Sequence, residues 1–423
     1  MRDLFVEIWG SIRRNRLRTC LTGFAVAWGI FMIIVLLGAG NGLMNAFLRD
    51  SEGVNVNTMH VYGGMTSIPY KGMKEGRWIG LKESDVRITG ENFKENIDDV
   101  SPTLSVSNDI KMYWNGGFAD TQLLGVYPVY SRMNKTDILY GRFIDSKDLK
   151  ERRKCIVVSS SDLKRLMIPE GEWERMIGRD MRINDIYYKV VGVYKGEDNM
   201  WRQQTFIPYS TLQSIFSKGL WIDEIVFSFH GLSNEKESSA FEDRYRSVLN
   251  KAHGADPQDR RALGIWNRFT QNMQMEKAST MLNIALWVIG IFTLLSGIVG
   301  VSNIMLITVR ERTHEFGIRK SIGAKPRDIT RLIISESVTI TTIFGYVGMI
   351  LGLLACEYMN IRLGSSKVEL MGEQIQVLKD PTVGMDVALE ATLLLIVAGT
   401  LAGLIPALKA AKVKPIEALM QTK

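Results

Sequence analysis

Apolar residues are unevenly distributed along this chain. Four stretches, 19–43, 281–309, 332–356 and 387–408, are almost free of charge, and each reaches the roughly 20 residues a helix needs to cross the hydrocarbon of a bilayer. Between the first and second lies 44–277, where charged residues are frequent and apolar ones fall in short runs. The layout predicts a membrane protein with four transmembrane α-helices, one plus three, and a large extracytoplasmic α+β domain between the first and second. Such a domain is long enough to bury its own core, in two lobes.

Within 44–277, strand patterns alternate with helical ones. Residues 155–158, 181–193, 205–208 and 225–229 read as strands, the second from the alternation of Ile183, Ile186, Tyr188 and Val190. Helical patterns cover 161–167, 210–216 and 238–253.

Charge sets the orientation. The pieces 1–18, 310–331 and 409–423 hold sixteen basic residues and six acidic ones, and Lys and Arg near span ends stay cytoplasmic. Both termini are therefore expected on the cytoplasmic side, with 357–386 a short external loop. The net charge of +7 follows from this topology and makes no case for nucleic acid. The first apolar run exceeds the 7–15 residues of a signal h-region and no A-x-A site follows it, so it is expected to be retained. Ahead of it, Leu4, Phe5, Ile8, Trp9 and Ile12 recur at helical spacing before Arg13, Arg14, Arg16 and Arg18. That pattern predicts an amphipathic helix lying in the inner interface.

No catalytic or metal-binding pattern emerges. Cys20, Cys155 and Cys356 form no C-x-x-C pair or disulfide framework. His60, His230, His253 and His314 are far apart, and H-E-x-x-H and G-x-S-x-G are absent. The run Glu151-Arg152-Arg153-Lys154 reads as a solvated face. Met112-Tyr113-Trp114 and Met200-Trp201 read as core or rim packing.

The spans carry little polarity, which argues against an ion or proton pathway. Glu336, about a turn inside the third, either organises the inner end of the bundle as a relay or pairs with a nearby Arg. Small residues recur at helical spacing in Ala25/Gly29, Ser296/Gly300, Gly348/Gly352 and Gly399/Gly403, and such pairs allow close helix approach in lipid. The stretch 310–331 is charged but contains Phe316, Ile318 and Ile322. Gly323 suits a helix C-terminus and Pro326 the first turn of the next helix. A short helix along the inner membrane surface is expected, offering charge and an exposed Phe316 to a soluble partner.

The run from Arg310-Glu311-Arg312-Thr313-His314-Glu315-Phe316-Gly317-Ile318-Arg319-Lys320 through Ile322-Gly323-Ala324 resembles the coupling-loop signature of MacB/FtsX-type ABC transporter permeases. So do Arg14-Asn15-Arg16-Leu17-Arg18-Thr19, Glu336, Pro406-Ala407 and Pro415-Ile416-Glu417-Ala418-Leu419. In the outer domain, Gly141-Arg142-Phe143, Val190-Val191-Gly192-Val193 and Ile207-Pro208-Tyr209-Ser210-Thr211 are similar to the MacB periplasmic domain. The resemblance spans nearly the whole chain.

It implies a dimeric permease, with a second copy or a paralogue, acting with a cytoplasmic ABC ATPase. No G-x-x-x-x-G-K-[ST] phosphate loop occurs, so ATP and Mg are expected in a separate partner chain and no cofactor in this one. Glu311, Arg312, Glu315, Phe316, Gly317, Ile318, Arg319 and Gly323 would couple to that ATPase, with Glu336 relaying the motion. Gly348, Gly352, Gly399 and Gly403 would pack the helices. The implied activity is mechanotransmission for export or extraction of an amphipathic compound, peptide or lipoprotein, in lipid and with a periplasmic adaptor and outer-membrane channel as further partners. The alternative is an FtsX-like regulator that activates a cell-wall hydrolase without transport.

Overall fold

The structure, a computed structural model, describes residues 16–48, 55–106, 110–196, 204–363, 367–370, 373–376 and 378–412. Most of the interfacial helix expected before residue 18, the Met200-Trp201 pair and the Pro415–Leu419 motif lie outside the described residues. The chain divides into two compact units, Met1–Asp50 with Lys277–Lys423, and Ser51–Glu276.

The first unit is helical. Its helices are α1 (Arg16–Leu48), α2 (Arg268–Glu311, which begins in the other unit), α3 (Thr313–Ser321), α4 (Pro326–Leu363) and α5 (Met385–Ala411). Among the described residues three helices are long and apolar enough to cross a membrane: Thr19–Ala46 within α1, α2 and α4. The fourth expected span falls in α5, where Ile396–Ala411 forms a shorter apolar helix. Part of the expected external loop 357–386 has secondary structure. Helix α4 continues to Leu363, and Lys367–Leu370 pairs antiparallel with Glu373–Gln376.

Glycines let these helices touch backbone to backbone. A Cβ on Gly348 would overlap the carbonyl oxygen of Ala27, and one on Gly352 would lie 2.8 Å from Ile34 Cβ, so α4 crosses α1 where no side chain fits. Gly399 and Gly403 of α5 face Thr341 and Ser337 of α4 in the same way, and Ser337 Oγ donates to Gly399 O at 2.9 Å. Val26, Ile30, Ile33 and Ile34 fill the core beside Leu294, Val301 and Met305 of α2.

The second unit is built on a sheet of twelve strands among the described residues. Its order is Leu263–Asn267, Thr58–Gly63, Glu224–Phe229, Ile97–Val106, Gln122–Val126, Gln204–Pro208, Cys155–Ser159, Ile186–Tyr194, Asp180–Ile183, Lys111–Trp114 and Gly117–Asp120, with Ile138–Gly141 also on Ile186–Tyr194. Pairing is antiparallel except for Ile186–Tyr194 with Cys155–Ser159 and Gln204–Pro208 with Gln122–Val126. The strand expected over 181–193 is two strands, reversed at Asn184, whose φ of 48° is the turn conformation Asn tolerates. Helix Glu235–Ala252 buries Phe241, Tyr245 and Leu249 against Phe93, Phe227 and Phe229. On the middle strands Phe206 and Tyr194, with Tyr130, form a separate smaller cluster.

Candidate functional site

The charged segment between α2 and α4 folds as expected from its punctuation. Helix α3 ends at the C-cap Ile322, followed by Gly323 with φ of 105°, a left-handed residue that suits glycine. Helix α4 starts at Pro326, where a missing N–H costs nothing. Arg312 occupies the junction of α2 and α3. Its Nε lies 3.0 Å from Glu315 Oε2, its Nη1 lies 3.3 Å from Glu336 Oε2, and its guanidinium sits 5.6 Å from the centroid of the Phe316 ring. Glu336 of α4 is buried and pairs with this Arg. The pairing with a nearby Arg is thus the reading of Glu336 that the geometry shows, and breaking an ion pair in buried surroundings is costly. Met305, Thr308, Val309 and Ile333 close around this node. On the other side of α3, Lys320 Nζ donates to Ala411 O of α5 at 2.6 Å.

One expectation is overturned here. Phe316 is 1 % exposed and belongs to the core with Val309, Ile329 and Ile333, so it is not the aromatic offered to solvent. The phase of α3 turns Phe316 and Gly317 inward and leaves His314, Glu315, Ile318, Arg319 and Ile322 outward. Ile322, 81 % exposed, and Ile318 are the apolar residues on that outer face. Their i, i+4 spacing, out of phase with Phe316, was the available signal. Glu311 and Gly323 are exposed beside them.

In the sheet unit the motif residues are structural. A Cβ on Gly141 (φ 76°) would overlap Val191 O, so glycine allows this close crossing. Arg142 Nη1 reaches the fully buried Asp148 at 2.6 Å. Burial works to raise the Asp148 carboxyl, but hydrogen bonds from Arg142 and the Asp145 N–H outweigh it and hold the group below its ordinary range. His60, His230 and His253 pair with three separate carboxylates, Glu224, Asp98 and Asp85, at 2.7, 2.8 and 2.9 Å. Met112 is core, whereas Tyr113 is half-buried beneath the Arg182 guanidinium, 4.3 Å from the ring centroid. Cys155 is buried, its thiol pushed up to about 12 chiefly by desolvation. Asp162 went unremarked in sequence. It is fully buried and accepts from Thr121 Oγ1 at 3.2 Å, and its Oδ1 has no hydrogen-bond partner among the described residues. Desolvation raises its pKa.

A sheet unit set between the first and second of several long apolar helices, with a charged helical segment packed against the next, defines a class of membrane permease. Residues 19–241 match the MacB-like periplasmic core domain, and residues 287–415 match the FtsX-like permease C-terminal domain. The first match alone covers more than half of the chain, and the chain belongs to the MacB/FtsX-type ABC transporter permease family. It is 27% identical over 415 residues to the macrolide export ATP-binding/permease protein MacB of Bdellovibrio bacteriovorus, covering 97% of this chain and 60% of that one. It is 25% identical over 421 residues to the probable syringafactin export ATP-binding/permease protein SyfD of Pseudomonas syringae, covering 99% and 60%. It is 23% identical over 415 residues to MacB of Escherichia coli K12, covering 97% and 59%. The chain thus spans about 60% of the length of these relatives.

Proposed function

We propose that this chain is the permease part of an ABC-type transporter in which ATP hydrolysis in a separate ABC ATPase chain moves the sheet unit. In this reading four helices cross the bacterial inner membrane with both termini cytoplasmic, and two permease copies or paralogues form a dimer. Cargo, an amphipathic compound, peptide or lipoprotein, is handled outside the membrane for export or extraction. The observation that carries the reading is the Arg312 node. One guanidinium ties α3, whose outer face presents Ile318, Arg319 and Ile322, to Glu336 inside α4. A push on α3 from the cytoplasm therefore has a polar link into a long helix, and that link lies in surroundings where its loss is costly.

The test uses the chain reconstituted with its co-purified ATPase. Arg312→Glu and Glu336→Arg should each abolish the ATP-dependent change in spin-label distances across the sheet unit while ATP hydrolysis persists. The double exchange should restore part of that motion. Full motion in both single variants would refute the link.

A further inference from the structure

The excursion 64–80 between Thr58–Gly63 and Leu81–Lys82 is tied to itself by backbone hydrogen bonds. Thr66 N donates to Arg77 O, Gly76 N to Thr66 O and Ile79 N to Gly64 O, so its two limbs pair. At its tip Tyr70 and Met73 exchange backbone hydrogen bonds across Lys71 and Gly72, both at positive φ, as in a two-residue hairpin turn. Its base is stapled by Asp259, which accepts from Ser67 N at 2.6 Å, Ser67 Oγ at 2.7 Å, Ile68 N at 3.1 Å and Arg261 N at 3.0 Å. A segment so held does not owe its exposed apolar residues to looseness.

Those residues form one stripe. Ile79 and Leu81 point into the core, so Trp78, Gly80 and Lys82 share the outward side. Met65 lies opposite Trp78, and Trp221 pairs with Lys82. The Trp221 ring lies across Gly80, where a Cβ would come within 2.5 Å of it. Met65, Trp78, Leu220 and Trp221 are 52, 65, 65 and 53 % exposed. Four large side chains protruding together are unusual on a surface without a partner. Lys82 Nζ stands 5.0 Å from the centroid of the Trp221 ring, with no carboxylate in salt-bridge reach among the described residues. The acid sharing the Trp221 face, Asp223, is occupied by Ser105 N and Oγ at 2.6 and 2.8 Å.

We propose that this stripe docks an anionic amphiphile, its acidic head at Lys82 and its apolar chain along Trp221, Trp78 and Met65. The inference rests on the reading that cargo is handled by the sheet unit, and it adds the cargo's charge and its seat. The complementarity is twofold: an aromatic strip that apolar chain would cover, and an uncompensated cation at one end of it. The occupant is a single amphiphile and not the bilayer surface. Uptake into lipid alone is the outcome that empty nanodiscs read.

The experiment takes the full chain in phosphatidylcholine nanodiscs, without ATPase, and measures equilibrium binding of dodecanoate, dodecyltrimethylammonium and dodecyl maltoside against empty nanodiscs. Saturable binding of dodecanoate alone is expected. Trp78→Ala with Trp221→Ala should weaken it roughly tenfold or more. Lys82→Glu, at an exposed position, should transfer the preference to dodecyltrimethylammonium. Dodecanoate binding no greater than to empty nanodiscs, equal binding of all three probes, or an unchanged preference in Lys82→Glu overturns the proposal. So does self-association of the chain that disappears with the Trp substitutions, which would make a second copy the occupant. Arg312→Glu should leave this binding intact, so failure of the coupling reading and failure of this one are separable.

Discussion

Phe316 separates what a residue is from where it points. As a buried ring among Val309, Ile329 and Ile333, Phe316→Ala should cost about 3–5 kcal/mol and lower the thermal unfolding temperature of the detergent-solubilised chain. Ile322→Glu, on the outer face, should leave that temperature unchanged and reduce co-purification of the ATPase. The short helix was legible in the sequence but its direction was not, because a charged nine-residue helix has no apolar stripe wide enough to fix its phase by eye. Asp162 was equally invisible, since nothing local marks a carboxyl whose partners, Thr121 and Thr205, lie 41 and 43 residues away. Burial raises its folded pKa above the unfolded value near about 3.9. Its contribution to stability is therefore complete at low pH and is lost as pH rises through the folded value. Asp162→Asn should flatten that part of the stability–pH curve, as read by thermal unfolding across a pH series. An unchanged slope would place the titration elsewhere.

At the scale of elements, close approach is the testable property. Gly348→Ala would set a methyl against the Ala27 carbonyl oxygen, a backbone atom that cannot rotate away, and should destabilise the helical unit by about 1–3 kcal/mol. Gly300→Ala meets only Ala25 Cβ at 4.0 Å and should be tolerated. Thermal unfolding of the two variants side by side decides it. Strands rich in β-branched residues, such as Cys155–Ser159 and Glu224–Phe229, were legible from pattern alone. Strands Ile97–Val106 and Gln122–Val126 were not, since Asp98, Asp99, Ser101 and Pro102 dilute the first and the second is brief. The hairpin at Asn184 hid because alternation continued through its turn.

For the whole molecule, the division into long apolar helices and a large sheet unit was the most legible feature, because an uncharged run long enough to span a bilayer is hard to bury anywhere but in lipid. Orientation is the matching prediction. Membrane-impermeant thiol reagents should label a single cysteine placed at Asp120 from outside and fail to label one at Lys325; labelling at Lys325 would reverse the topology. The sheet unit should also fold when residues 55–267 are produced alone, giving one cooperative transition by circular dichroism, because its first and last strands pair with each other and contribute to its own core. Those strands carry a mechanical consequence. Thr58–Gly63 and Leu263–Asn267 are antiparallel neighbours, with Met59 opposite Asn267 and Gly63 opposite Leu263. The chain enters and leaves the sheet at the same end of this ladder. If α1 and α2 were drawn apart there, the load would fall on one hydrogen-bonded pair at a time and peel the strands from Asn267 inward, the weakest way to load an antiparallel ladder. If the two helices travel together, no pair is stretched and the sheet is carried as cargo on a single stem. A machine that pulls through this connection must therefore move both helices in step.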